Sequence, residues 1–184
     1  MSNTSSIKVN ASAVSCIGKA CVVNEDNFYM NGRFMFDREI DNVQVAVETS
    51  EPYFIFAVSD GMDRSVPDKS SSISAIGELK KLKDSGKLNG SDIYSLTNVL
   101  AEAIDEVNNL VYSASLGRTG ERTKKTAFSC LILSGGKAVV LNMGTSRAYL
   151  YRGGKLNLIT EDNKKAERLL KMGIISSEQA EELI

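Results

Sequence analysis

Among 184 residues there is not one histidine. Catalysis by Ser-His-Asp or Cys-His groupings is thereby excluded, as is zinc held by imidazole. Acid-base or metal chemistry must draw on Asp, Glu, Lys, Tyr or Cys, and carboxylates favour hard ions such as Mg²⁺ and Mn²⁺. Cysteine is scarce too. Cys16, Cys21 and Cys130 form no CxxC pair and fit reduced thiols better than a disulfide framework. Neither sign of charge dominates: the net charge is -1, which argues against a general grip on nucleic acid, because that needs a basic excess to release phosphate counterions. The densest basic run, "RTGERTKK" at 118–125, sits among Gly and Thr and reads as a solvated loop. No window approaches 18 apolar residues, so no membrane span is expected. The N-terminus "MSNTSSIKVN" lacks the apolar run of a signal peptide, and the cytoplasm is the expected location.

What is present suits one soluble domain over 1–184, with apolar residues at 42%, enough for a real core. Residues 7–17 alternate as a strand, and "NEDNFYM" reads as an acidic loop leading into aromatic residues. "NVQVAVE" at 42–48 alternates cleanly, and "YFIFAVS" at 53–59 is a continuous apolar run suited to a strand buried on both faces. Helices follow. Ala75, Ile76, Leu79 and Leu82 share one face, and over 91–115 Ile93, Leu96, Leu100, Ala103, Val107, Leu110 and Val111 keep one apolar stripe, with Ser91 as its expected N-cap. After residue 126 the period changes to two. Two strand pairs, each turning on Gly-Gly-Lys, predict an antiparallel meander. The tail "DNKKAERLLKMG" reads as a helix stopped at Gly173, with Asp162 as its N-cap, and Ser176 with Gln179 as a capping box for the next helix.

One stretch leaves two readings open. "YFIFAVSDGMD" runs from a strand into Asp60 and Gly61. Asp-Gly is a common turn dipeptide. It is also what a metal site at a strand end requires, a carboxylate followed by a residue that lets the backbone approach an ion. Glu25 and Asp26, taken alone, read as an exposed acidic loop, Thr145 and Ser146 as turn residues, and Arg147 as a surface strand residue.

The order of motifs discriminates. "NEDNF" at 24–28 precedes "FAVSDGMD" at 56–63. Two helices follow, then "TAFSCLILSGGKAVVLNMGTSRAYLYRGGKLNLITED" at 126–162 and "KMGIISSEQAEE" at 171–182. This series resembles the metal-dependent protein phosphatases, the type 2C serine/threonine group in its bacterial form, from about residue 18 to the last residue. The resemblance implies an α+β fold, an α-β-β-α sandwich of two antiparallel sheets flanked by helices, with metals at one end of the sheets. It makes Asp60 and Asp26 the catalytic carboxylates, and Glu25, Asp26, Asp60 and the carbonyl of Gly61 the metal ligands. Two Mn²⁺ or Mg²⁺ ions would acidify a shared water and neutralise charge on the phosphoryl group. The implied partner is a phosphoprotein, within a serine/threonine kinase system.

The pattern also departs from that family. Cys21 stands where the family places a phosphate-gripping arginine, and cysteine cannot make bidentate phosphate contacts. Lys19 is nearby but out of register. Asp63 replaces a glycine beside the metals, and Thr145 replaces an aspartate associated with a third ion. The family pattern goes on to further strands and two more ligand aspartates, so the resemblance implies a fold incomplete at its C-terminal end, with weak or no activity. Two functions therefore stand as expectations: a protein serine/threonine phosphatase, and a non-catalytic phosphatase-like module that binds a protein partner.

Overall fold

In the computed structural model the residues described are 7–19, 22–37, 41–63, 71–89, 92–114, 124–161, 172–174 and 176–177. Five antiparallel strands form the main sheet. In spatial order they are β3 (Arg33–Phe34), β2 (Asp26–Met30), β5 (Tyr53–Asp63), β6 (Lys124–Ser134) and β7 (Lys137–Met143). A second, two-stranded sheet pairs β1 (Ile7–Ser15) with β4 (Val43–Glu51), from Ile7 opposite Glu51 to Ser15 opposite Val43. Two helices, α1 (Ser71–Asp84) and α2 (Ile93–Ala114), lie on the main sheet.

Side-chain alternation builds the layers, because successive strand residues point to opposite faces. Tyr29, Tyr53, Ile55, Ala57, Phe128, Cys130 and Ile132 face the helices, where they meet Ala75, Ile76, Leu79, Ile93, Leu96, Leu100 and Val107. Phe28 and Met30 face the other way and pack with Met35 against Ala11, Ala13, Val43, Val45 and Val47 of the small sheet. The result is helix on sheet on sheet, the expected α+β sandwich. Among the described residues the outer face of the small sheet carries no helix. Lys83 ties α1 to the sheet by donating to the Asn31 carbonyl at 3.0 Å and pairing with Glu51 at 3.3 Å.

Several sequence expectations need correction. "NEDNFYM" is not a loop throughout: Asp26 opens β2, an inner strand, because Phe28, Tyr29 and Met30 supply apolar side chains to both faces. Asp60 and Gly61 are not a turn. β5 runs through them to Asp63, paired at every position from Tyr53 to Asp63 with β6. The cap of α2 is Asp92, whose carboxylate accepts the backbone N–H groups of Tyr94 at 2.8 Å and Ser95 at 3.2 Å. Those bonds hold the Asp92 carboxyl below its usual range. Ser91, Cys21, Asp162 and Gln179 lie outside the described residues.

The meander divides. β6 and β7 turn at Gly135 and Gly136 (φ 57° and 75°) and stay in the main sheet. Positive φ at both centres is what a tight hairpin needs, and glycine supplies it without steric cost. The second Gly-Gly turn joins β8 (Tyr149–Arg152) to β9 (Lys155–Leu158) in the same way, but this ribbon pairs only with itself. All eight of its residues are exposed, Tyr151 at 70% and Leu156 at 65%.

Leu100 is fully buried at the centre of the helix–sheet core. Leu100→Ala should cost about 2–5 kcal/mol by urea denaturation, since it removes methyl groups and leaves a cavity. Val22→Ala, at a position 91% exposed, should stay within about 0.5 kcal/mol.

Candidate metal centre

The register of β2 on β5 places Asp26 directly opposite Asp60 at one end of the main sheet. Neighbouring strands lie about 4.8 Å apart, so two acids in register on one face must meet. The charge of Asp60 accordingly acts on the Asp26 carboxyl. Two like charges brought together in this way favour a proton or a cation at the pair.

Backbone contacts fix this end. The Gly61 N–H donates to the Glu25 carbonyl at 3.1 Å, and the Ser72 hydroxyl donates to the same oxygen at 2.5 Å from the first turn of α1. The Asn24 side chain accepts from the Asp26 N–H at 3.1 Å and donates to the Ser15 hydroxyl at 2.7 Å, joining the entry of β2 to the end of β1. On the far side of β5 the Thr126 hydroxyl donates to the Asp60 carbonyl at 3.0 Å and lies 2.8 Å from the Ser59 hydroxyl. The backbone of Glu25, Asp26, Asp60 and Gly61 is thus fixed by β2, β5, β6 and α1, with Asp26 opposite Asp60 and Glu25 held through its main-chain carbonyl. Asn24, Ser72 and Thr126 escaped sequence reasoning, since a lone polar residue beside a strand or helix end carries no pattern.

Electrostatics follow from the crowding. The Asp26 carboxyl is pushed above its usual range, first by partial burial, then by the charge and hydrogen bond of Asp60, and last by the charge of Glu25. Asp26 as a whole is exposed, and Asp60 stands directly opposite it in the ladder. Beside the pair opens a cleft of about 830 Å³ between β1 and the main sheet, lined by apolar residues such as Phe56, Val58 and Leu131 together with Asp26, Asp60 and Arg147. Thr145 is exposed, and the side chain of Asp63 lies outside the described residues. Among the described residues, no group of three or more His, Cys, Asp or Glu is arranged to hold a metal ion. Two carboxylates forced into contact nonetheless match the hard-oxygen preference of Mg²⁺ and Mn²⁺.

No protein-family model matches the chain, and no curated protein matches it by sequence. Solved structures do match. The chain has the type 2C serine/threonine phosphatase fold. It is similar to the serine/threonine phosphatase PstP/Ppp of Mycobacterium tuberculosis at 21% identity and a TM-score of 0.57, covering 94% of this chain and 62% of that one. The serine/threonine phosphatase Stp1 of Staphylococcus aureus matches at 20% identity and a TM-score of 0.65, over 94% and 61%. The catalytic domain of PstP in complex with two manganese ions matches at 21% identity and a TM-score of 0.58, over 96% and 65%. The chain spans less than two thirds of the length of each of these phosphatase structures. The expected sandwich is therefore present on two counts, its own layering and these neighbours. No described helix is long and apolar enough to cross a membrane.

Without metal the ionised acid pair opposes folding. A carboxyl that titrates higher in the fold than in the unfolded chain subtracts stability above its raised value and not below both values. Asp26→Asn should therefore raise Tm at neutral pH in the presence of a chelator. Solvent screening should keep the gain to roughly 2–4 °C, the response of a domain this size to about 1 kcal/mol. Thermal melts across a pH series should show the gain vanishing as the pH falls through the ordinary carboxylate range.

Proposed function

We propose that this chain is a metal-dependent protein phosphatase acting on phosphoserine and phosphothreonine, with turnover held low by the residues at positions 21, 63 and 145. One observation carries the reading: the paired strand register that presses Asp26 against Asp60. The neighbouring fold containing two manganese ions supports it.

Asp26 and Asp60, with Glu25 and the carbonyl of Gly61, would hold Mn²⁺ or Mg²⁺. When bound, such ions lower the pKa of a water and neutralise charge on a phosphoryl group. The chain's own residues do the rest. Burial and the charge of Asp60 push the Asp26 carboxyl above its usual range in the metal-free state, and metal binding requires its carboxylate form. Thr126 and Ser59 fix the strand that carries Asp60. Cys21 stands where the resembling family has its phosphate-gripping arginine, so the phosphoryl group lacks that clamp. Losing such a stabilising contact costs about a hundredfold or more in rate. The substrate is a phosphoprotein, supplied by a serine/threonine kinase.

The test pairs manganese titration by calorimetry with hydrolysis of a phosphothreonine peptide. The unaltered chain should bind manganese and turn over slowly, Asp60→Asn should abolish both, and Cys21→Arg should raise the rate. Manganese binding without turnover, in the unaltered chain and in Cys21→Arg alike, would instead assign a non-catalytic phosphatase-like module that binds a protein partner. Binding and turnover that both ignore Asp60→Asn would refute the site.

A further inference from the structure

A phosphate site needs positive charge, and position 21 does not supply it. Three charged residues stand among the described residues lining the cleft: Asp26, Asp60 and Arg147. Strand register shows how the arginine reaches this end of the sheet. Asp26 pairs with Asp60, Asp60 pairs with Ala127, and Gly144 abuts Ala127. These four positions form one row across β2, β5, β6 and the end of β7. Gly144 is required there: its φ is +86°, and a Cβ on it would lie 2.9 Å from the Cβ of Ala127. Asp60 and Gly144 are two strand spacings apart, about 10 Å of backbone separation, and Arg147 follows three residues after Gly144.

The segment bearing Arg147 is anchored on its other side as well. The Ala148 N–H donates to the hydroxyl of buried Thr160 at 3.1 Å, and the Ala148 carbonyl accepts the Ile159 N–H at 3.0 Å. Asn142 donates to the Glu161 carbonyl at 3.2 Å and braces the same turn. The backbone bearing Arg147 is thus tied at Gly144 and at Ala148, and the forked donors of a guanidinium match phosphoryl oxygens bidentately.

We propose that Arg147 is the phosphate-gripping cation of this cleft, binding the phosphoryl oxygens that face away from the Asp26–Asp60 pair. The proposal rests on the phosphatase reading above. It assigns to the loop after β7 a role that the sequence pattern placed at position 21. Arg147 lines the same cleft as Asp26 and Asp60, and in this proposal a bound phosphoryl group lies between its guanidinium and the cation-binding carboxylates.

The test titrates phenylphosphonate, a non-hydrolysable phosphate analogue, into the manganese-containing protein by calorimetry. Manganese affinity without the phosphonate is measured in parallel. Arg147→Ala should weaken phosphonate binding about tenfold or more and leave circular dichroism and manganese affinity unchanged. Arg147→Lys, which keeps the charge and loses the fork, should weaken it severalfold, and carries the test if the alanine variant fails to fold. Phosphonate affinity unchanged in a folded variant overturns the proposal, as does absence of phosphonate binding by the unaltered chain. A substitution that tightens manganese binding without touching the phosphonate also overturns it, because Arg147 would then only neutralise the acids. Manganese affinity indifferent to Asp60→Asn is a separate result: it removes the metal site and not the anion contact.

Discussion

The site depends on one forced meeting of like charges. Five residues of β2 pair with β5 in a single register, and that register leaves Asp26 facing Asp60. A one-residue slip would turn Phe28 and Met30 out of the inter-sheet core and bring Tyr29 into it, so the apolar pattern holds the acids together against their repulsion. Burial of the strand thus provides the free energy that keeps two carboxylates in contact. Such local conflict inside an otherwise consistent fold is where functional sites are expected.

Much of the architecture was legible in the sequence. Helix periodicity located Leu79, Leu96, Leu100 and Val107 in the core, and the two Gly-Gly turns announced their hairpins. The failures share a cause. "NEDNFYM" looked like a loop because its polar first half masks an inner strand, and a turn stayed open as one of two readings of Asp60–Gly61 because dipeptide preference ignores the partner strand. β6, with eleven residues in register, and the Glu25 carbonyl on the other side draw β5 straight through the glycine. The split of the meander was hidden for a similar reason. Period-two patterning marks strands but does not say which sheet a strand joins, and the positive φ of Gly144 sends the chain away from β7.

The candidate acids were legible only through motif order. Glu25, Asp26, Asp60 and Gly61 are separated by more than thirty residues across the two clusters, and no local spacing links them. Their supports were not legible at all. Ser72 reaches Glu25 from a helix forty-seven residues on, and Thr126 reaches Asp60 from sixty-six. Long-range hydrogen bonds of this kind leave no periodic trace, because each is one polar atom meeting one other.

The contact between Gly144 and Ala127 carries a consequence for how this chain can change. The two positions share a fixed allowance of space: a methyl group is present at one and cannot be added at the other without moving backbone. Ala127 is also the residue beside Asp60 in the ladder. Enlarging either position would push β6 toward β5 or swing the following turn outward. Substitutions at 127 and 144 are therefore coupled, and a neutral exchange at one fixes which exchanges the other can accept. Tolerance at a position that bears no chemistry is thus limited by the carboxylate one strand away.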